Sequence, residues 1–410
     1  MHNNKTFYIS IVSLLGATTF FTASAQSPLS IQSPIGLPSQ HATGPSQAIG
    51  GSGTGVASDY FGMADNPGNL GAMTRSSFST IVSMDFLSIQ DNEGSTQHAK
   101  LSPMLLSFTF PLRQAGTFGI SLDRRSDARL KYRSLIPVGR DGDSLDFGFS
   151  RNGGLTSWQA GWGYAIGPWV QLGISYERQY LINDEISMWR NRISAVSNPS
   201  DYFLYDTTTT AFRGNAIRGG ALVPLKKLTL GLTGEYILPG TAKRQSITQN
   251  PDLVDTVVDR FTLRLPPSFG AGLSYAFSPR WLVAASGGVT LWQRYESDVK
   301  LGNPLDDAFT FSFGGQFIPA PNLLVPRYWE IMQYRAGFRY AQLPTSVGSE
   351  IAFTVSLGLP FQQSSGLFDI IVDAGRRTDA AYNGYSENFL QVKFGLNGGR
   401  KWFQNTGIRY

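Results

Sequence analysis

The chain has 410 residues, a formal net charge of +5 and no cysteine. The lack of cysteine excludes disulfides, thiolate metal sites and cysteine nucleophiles. Charged residues make up 15% of the sequence and aromatic residues 13%, with 45 glycines, so the charged fraction is low for a soluble protein. The positive charges are scattered rather than gathered into a basic patch, which argues against nucleic acid as a partner.

The first residues have the pattern of a secretory signal peptide. Lys5 supplies a positive charge, residues 7–21 are mainly apolar, and the Ala-Ser-Ala of residues 23–25 matches the small-x-small cleavage rule. A membrane anchor is the alternative, but the apolar stretch is short for one and contains Ser and Thr. We therefore predict a signal peptide over residues 1–25.

A glycine-rich segment follows at residues 50–57, and a second motif, Asn-Pro-Gly-Asn, follows at residues 66–69. Residues 26–45, rich in Ser, Pro and Gln, are typical of a disordered tail, whereas residues 48–73 carry apolar side chains that can pack. We predict that residues 26–73 form a plug, or hatch, inside the barrel described below. Its motif residues are Gly50, Gly51, Gly53, Gly55, Asn66, Pro67 and Gly68.

From Arg75 onward the hydrophobic pattern has a period of two. In residues 228–236, for example, leucine and tyrosine alternate with threonine, glycine and glutamate, and residues 351–359 repeat the scheme. Such stretches reach the roughly 9–11 residues that a tilted strand needs to cross a bilayer. Strands of a soluble sandwich also alternate, but they are nearer 5–6 residues long.

This pattern predicts about fourteen strands. They lie near residues 75–89, 101–112, 115–125, 155–166, 169–181, 207–223, 227–239, 261–277, 281–295, 307–318, 329–341, 348–360, 367–377 and 385–397. Tight turns alternate with longer polar stretches, as periplasmic turns and outer loops do. The predicted fold class is all-β, a single transmembrane antiparallel β-barrel of residues 74–410 in the outer membrane of a Gram-negative-type bacterium.

The same alternation assigns charged side chains to the inner face of the barrel, because a charge at lipid depth is costly. An interior that holds water and structural ion pairs is one interpretation, and ion pairs with a plug are another. The predicted lumen-facing residues are Asp85, Asp123, Arg125, Glu177, Glu235, Arg335, Arg339, Asp373 and Lys393.

Several stretches resemble the FadL-type long-chain fatty acid transporter family. The glycine-rich segment and Asn66-Pro67 are similar to that family's glycine-rich stretch and its Asn-Pro-Ala-x-Leu motif. Residues 264–275 and 334–338, together with the closing strand, resemble its Leu-Pro-x-Ser, Arg-x-Gly-aromatic and final strands. Gly68 stands where the family motif has alanine.

The resemblance implies that the N-terminal segment folds into the barrel as a hatch. It also implies that hydrophobic ligands pass from an outer to an inner site and leave through a side opening at an inward kink of the third strand. That strand would be residues 115–125, in which the sequence gives no sign of a kink. The family's ligand-contacting residues have no identifiable counterparts here.

Catalytic chemistry finds little support in the sequence. The histidines, His2, His41 and His98, have no metal-ligand spacing, and no phosphate-binding loop or Gly-x-Ser-x-Gly elbow is present. We therefore expect no catalytic residues, no metal and no cofactor. An outer-membrane enzyme is a disfavoured alternative.

The leading functional hypothesis is a passive outer-membrane channel for hydrophobic compounds, with long-chain fatty acids as the default substrate. Aromatic residues of the outer loops, Trp189, Tyr202, Phe203, Tyr205 and Phe212, would form a capture surface or an interfacial girdle, and for Phe212 we favour the girdle. The alternative is an accessory barrel of a protein-secretion system that transports no small molecule. Expected partners are fatty acids or hydrocarbons, outer-membrane lipids and, during biogenesis, the barrel-assembly machinery.

Overall fold

The structure is a computed structural model. It describes residues 33, 35–90, 95–137, 144–192, 203–250, 253–298, 305–321, 326–344, 348–361, 366–379 and 386–400. The predicted signal peptide lies outside these residues. Within the described part of the chain, no helix is long and apolar enough to cross a membrane.

In the described part of the chain, fourteen antiparallel strands form a closed barrel. They are β1 (Ser76–Gln90), β2 (Ser95–Pro111), β3 (Thr117–Arg124 and Leu130–Pro137), β4 (Ser144–Ile166), β5 (Val170–Arg192), β6 (Phe203–Leu225), β7 (Leu228–Gln249), β8 (Val254–Arg264 and Ser268–Ser278), β9 (Trp281–Thr290 and Glu296–Ser297), β10 (Ala308–Phe317), β11 (Gln333–Gln342), β12 (Gly348–Phe361), β13 (Gly366–Asp379) and β14 (Ser386–Arg400). β14 pairs with β1 along its whole length, which removes the exposed edges of the sheet. The predicted all-β barrel of about fourteen strands is confirmed.

The strands extend further at the long-loop end than the sequence predicts. Residues 126–154, 182–206 and 240–260 are predicted loops, but β3 continues to Pro137, β5 to Arg192 and β7 to Gln249. The backbone ladder persists there because pairing between strands does not depend on lipid contact. The sequence criterion, which looks for one apolar face, therefore ends each strand too early.

The barrel has an apolar outer surface. On β7, Leu230, Leu232 and Tyr236 are 40%, 62% and 53% exposed, whereas Glu235 between them is buried. This alternation of apolar outward and polar inward side chains is that of an outer-membrane barrel. The protein is therefore located in the outer membrane of a Gram-negative bacterium, as predicted.

The N-terminal segment, defined here as residue 33 and residues 35–75, lies inside the barrel. Its helix α1 (Gly44–Ala48) contacts β1 and β11–β14, and a 3-10 turn at Gly53–Gly55 contacts β7–β9. A second helix, α2 (Asn69–Ala72), contacts β3–β6. Because these elements touch strands around most of the circumference, the segment occupies the lumen. A further helix, α3 (Tyr328–Ile331), occupies the start of the predicted eleventh strand.

Candidate functional site in the barrel lumen

The side chain of Asn66 connects the N-terminal segment to the wall. Its Nδ2 donates to the carbonyl oxygen of Thr54 at 2.8 Å, and the same group lies 3.2 and 3.3 Å from the carbonyl oxygens of Ala221 and Leu232. Its Oδ1 accepts a hydrogen bond from the Gly68 N–H at 2.9 Å. A Cβ added at Gly68 would lie 3.0 Å from the Ala221 backbone, so glycine suits this motif position.

The glycines of the segment serve tight turns and close contacts. Gly50 and Gly51 have φ values of 75° and 89°, which favour glycine. Gly53 begins the 3-10 turn, and a Cβ there would lie 2.8 Å from the Ser46 Cβ and closer still to its Oγ. A Cβ on Gly55 would lie 2.6 Å from the backbone of Gly272 in β8. These residues shape the segment and its contact with the wall.

Glycines of the wall receive the segment from the other side. On seven of the described strands, one inward-facing glycine is so close to the N-terminal segment that an added Cβ would lie less than 3 Å from the backbone of the segment. These are Gly163, Gly173, Gly220, Gly231, Gly272, Gly314 and Gly337, called the glycine band below. Gly173, for example, faces Pro67. The segment backbone therefore packs directly on the sheet.

The third strand is broken at residues 125–129. Its first half, Thr117–Arg124, pairs with β2 and β4, and its second half, Leu130–Pro137, pairs with β4. Between them, Ser126–Asp127 pairs with Leu37–Pro38 of the N-terminal segment. Within the described residues, the pairing of β2 with β3 ends at Leu105 and Asp123 on the side of the long loops. The wall is therefore open between that point and the long loops.

Local hydrogen bonds hold this break in place. The Ser126 Oγ donates to the Ile35 carbonyl and accepts from the Leu155 N–H at 3.0 Å. Opposite the break, Gly153 and Gly154 have φ values of 153° and 142°. This glycine pair in β4 is the sequence signal for the kink that sequence reasoning missed.

Four of the charged residues that the sequence predicts to face the lumen lie close together beside the break. The Arg125 guanidinium lies 2.5 Å from the Glu235 carboxylate and 3.2 Å from that of Glu177. Asp123 is buried close by and accepts a hydrogen bond from the Ser157 hydroxyl at 2.6 Å. One arginine therefore links the broken strand to β5 and β7.

Arg218 completes this group and was missed by sequence reasoning. It is 7% exposed and donates to the carbonyl oxygens of Ala64 at 2.8 Å and Asp65 at 3.2 Å. Its register partner in β7 is Glu235, so cross-strand pairing would have identified it. Arg218 thus joins the wall charges to the backbone of the N-terminal segment.

His41 places a neutral ring beside these charges. Its Nδ1 lies 3.8 Å from the Asp123 carboxylate, too far for a hydrogen bond. Burial, and then the positive charges of Arg125 and Arg218, lower the pKa of His41 well below its usual value. The ring is 29% exposed, and this surface faces the internal cavity that it lines.

The other predicted charges form a second group on β1 and β11–β14, where each has a partner of opposite charge. The pairs are Arg335–Asp369 at 2.5 Å, Arg339–Glu350 at 2.7 Å, Arg339–Asp373 at 3.2 Å, Lys393–Asp373 at 3.2 Å and Asp85–Lys100 at 3.7 Å. Asp369, Glu350 and Lys100 were missed by sequence reasoning, although each lies on a predicted strand or its edge. Pairing partners could be assigned only once the strand register was known.

A cavity of about 370 Å³ lies on the long-loop side of the N-terminal segment. Gly50, Gly51 and Thr54 line it from below, and a buried apolar cluster that includes Leu155 and Trp292 lines it from the side. The remaining members of that cluster are Ile35, Leu181, Phe212, Ala216, Ile237, Ala242, Phe261, Leu263 and Leu265. The lumen therefore contains apolar surface next to the charges at the break.

A second space of about 650 Å³ lies at the break in the wall. Pro103, Leu105, Leu122 and Ile182 give it apolar walls, and Arg124 lies at its edge. A groove of this composition is suited to a hydrocarbon chain.

The aromatic residues of the outer loops have different positions. Phe212 is 1% exposed within the internal cluster, so its predicted place in an outer girdle is wrong. Phe212 and Arg218 are six residues apart on β6. Because successive side chains of a strand point to opposite faces, both lie on the inner face. Trp189 packs against Phe147 with ring centroids 4.2 Å apart and ring planes tilted by 39°, and Tyr202 lies outside the described residues.

Solved structures with a similar fold include a FadL homologue and two toluene transporters. A FadL homologue of Pseudomonas aeruginosa is similar with a TM-score of 0.63 and 13% identity, covering 89% of this chain and 99% of that one. The Pseudomonas putida toluene transporter TodX gives 0.60 and 17%, covering 87% and 97%. The Ralstonia pickettii toluene transporter TbuX gives 0.57 and 15%, covering 88% and 99%. These likenesses show a shared fold.

Comparison of the amino-acid sequence, as opposed to the fold, gives a family match over part of the chain. Residues 235–408, less than half of the chain, match the BamG family model. No curated protein matches the sequence significantly. The fold and the occupied lumen define an outer-membrane β-barrel with an internal N-terminal segment. More particularly, the barrel has the FadL-type fold, so the resemblance seen in the sequence is confirmed at the level of fold.

Proposed function

We propose that the protein is an outer-membrane channel for the passive uptake of hydrophobic compounds, with long-chain fatty acids as the default substrate. One observation carries this proposal. The cavity of about 370 Å³ above the N-terminal segment has one apolar side and lies close to an opening in the wall at the third strand. Ligand pockets typically measure about 300–1,000 Å³, so the cavity suits a small hydrophobic ligand or part of a longer chain.

In this proposal a ligand enters from the long-loop end, rests against the apolar cluster and leaves sideways. The groove at the break would pass it to the surrounding lipid. No energy source is needed, because a concentration difference drives the movement, and both the cavity and the groove offer apolar surface to the ligand.

The test is uptake of a fatty acid and of toluene by cells that lack the protein, with binding measured on the purified barrel. Ala341 lines the cavity, whereas Ala336 on the same strand faces outward. Ala341→Trp should fill the cavity and reduce both uptake and binding, and Ala336→Trp should change neither. Unchanged uptake in the deletion strain without saturable binding would refute the proposal.

The N-terminal segment would act as a hatch that closes the lumen. Deletion of residues 48–70 should raise the conductance of the barrel in planar bilayers. Equal conductance with and without these residues would mean that the segment does not limit the pore.

The match of residues 235–408 to the BamG family model favours a second candidate, an accessory barrel in outer-membrane protein assembly or secretion. This function predicts lower levels of other barrels in cells that lack the protein, with hydrophobic uptake unchanged. Quantifying outer-membrane proteins and ligand uptake in the same strain separates the two functions.

A further inference from the structure

A small polar cavity, called the connecting cavity below, lies between the lumen cavity and the groove at the break in the wall. It measures about 110 Å³, well above the roughly 10–15 Å³ that one water molecule needs. It shares Gln40 and Arg339 with the lumen cavity, and Met104 and Arg124 with the groove at the break. This connecting cavity is therefore next to both spaces.

Cationic side chains outnumber carboxylates among the residues that line the connecting cavity. Six cations line it against three carboxylates: Lys100, Arg124, Arg129, Arg339, Arg377 and Lys393 against Asp85, Asp127 and Glu350. Two further carboxylates, Asp373 and Glu387, pair with Lys393 and Arg377 without lining the cavity. Counting all of them leaves six positive charges against five negative ones.

The excess is most marked at the break, where one carboxylate serves three cations. Asp127 pairs with Lys100, lies 2.8 Å from Arg124 and lies 3.1 Å from Arg129. Asp85 gives Lys100 a second, longer contact at 3.7 Å. Like charges held this close repel each other, and an added anion would lower that repulsion.

Arg339 provides an independent observation. The residue is 8% exposed, and its Nε and Nη2 bind Glu350 and Asp373. Its Nη1 is buried without a hydrogen-bond acceptor among the residues that the structure describes. A buried charged donor without a partner is costly, so this group is suited to binding an acceptor brought by a ligand.

We propose that the connecting cavity binds a phosphate group, carried by a lipid whose acyl chains lie in the groove at the break or present as the free ion. The cations come from β2, β3, β11, β13 and β14, which lie within one contiguous, curved half of the closed barrel, so that several of them can contact one bound group. A phosphate monoester, or the free ion, offers more acceptor oxygens and more charge to such a set than a carboxylate does. For a lipid, Leu105, Leu122 and Ile182 supply the apolar contact.

The experiment measures binding to the purified full-length barrel in a neutral detergent, with dodecyl phosphate, dodecanoate and dodecanol as probes of equal chain length. Dodecyl phosphate should bind at least tenfold more tightly than dodecanol, and added salt should reduce the difference. Arg129→Gln should reduce it as well. The matched control is Arg264→Gln, which removes an arginine paired with Glu296 away from this cavity.

Competition by inorganic phosphate separates the two sources. Displacement of dodecyl phosphate at similar concentrations assigns the site to the free ion, and its absence assigns the site to a lipid head group. Equal binding of dodecyl phosphate and dodecanol by the wild-type barrel would overturn the proposal, whether or not the variants fold. A preference for dodecanoate would also overturn it and would assign the cavity to a carboxylate. Saturable dodecanol binding without a head-group preference would leave the channel function intact.

Discussion

The carboxylate of Glu235 lies 2.5 Å from the guanidinium of Arg125 and joins strand β7 to the point where β3 breaks. The two side chains are 6% and 8% exposed, so the contact is almost dry. A buried ion pair adds little net stability compared with apolar packing, but removing one partner leaves an uncompensated charge. The pair therefore fixes the position of the broken strand.

Glu235→Gln should destabilise the barrel by about 3 kcal/mol, the lower end of the usual range for a broken buried pair, because Glu177 still neutralises Arg125. Urea unfolding followed by tryptophan fluorescence measures the effect. The control is Glu296→Gln, which removes a 69% exposed partner of Arg264 and should change stability by less than about 1 kcal/mol. Equal effects of the two substitutions would show that the break does not depend on this pair.

Two adjacent glycines test the glycine band. A Cβ at Gly220 would lie 2.8 Å from the Gly68 nitrogen. A Cβ at Gly219 would have no atom of the described residues within 4 Å, apart from its chain neighbours. Gly220→Ala should displace the N-terminal segment, raise conductance in planar bilayers and lower the urea midpoint. Gly219→Ala should leave both unchanged, since it faces open space.

Replacing Asn66 by aspartate should destabilise the protein more than replacing it by alanine. Asn66→Ala removes the donor to the carbonyl oxygens of Thr54, Ala221 and Leu232, and should cost about 1–3 kcal/mol. Asn66→Asp places a carboxylate oxygen against the same carbonyls and should cost more. Limited proteolysis of the N-terminal segment should follow the same order. A milder effect of aspartate than of alanine would contradict the assigned hydrogen bonds.

Stability should fall in mild acid because of His41. Its pKa in the folded protein is lowered by burial and then by Arg125 and Arg218. The unfolded chain therefore binds a proton first, below about pH 6.5. The stability present above that pH is lost as the pH falls. Between about pH 7.5 and pH 5.5 the urea midpoint of the wild type should decrease more than that of His41→Gln. Parallel curves would exclude this role.

The sequence predicted the barrel well, because an alternating pattern reports directly which face of a strand meets lipid. All fourteen strands of the barrel have a predicted counterpart, and Glu177, Glu235 and Arg335 are buried as polar residues of the opposite face. The pattern does not report where pairing ends above the membrane, so β3, β5 and β7 are longer than predicted. The position of Phe212 was predicted wrongly for a related reason. The prediction used its aromatic character and not the face of the strand on which its side chain lies.

The sequence by itself determined the export pattern, the number of strands and the polar character of the interior, since each depends on neighbours along the chain. Only the tertiary structure decided which charges pair, where β3 breaks and how the N-terminal segment contacts the wall. Arg125 and Glu235 are 110 residues apart, and Asn66 meets Ala221 across 155 residues. Such contacts depend on strand register and barrel closure, which local patterns of hydrophobicity do not contain.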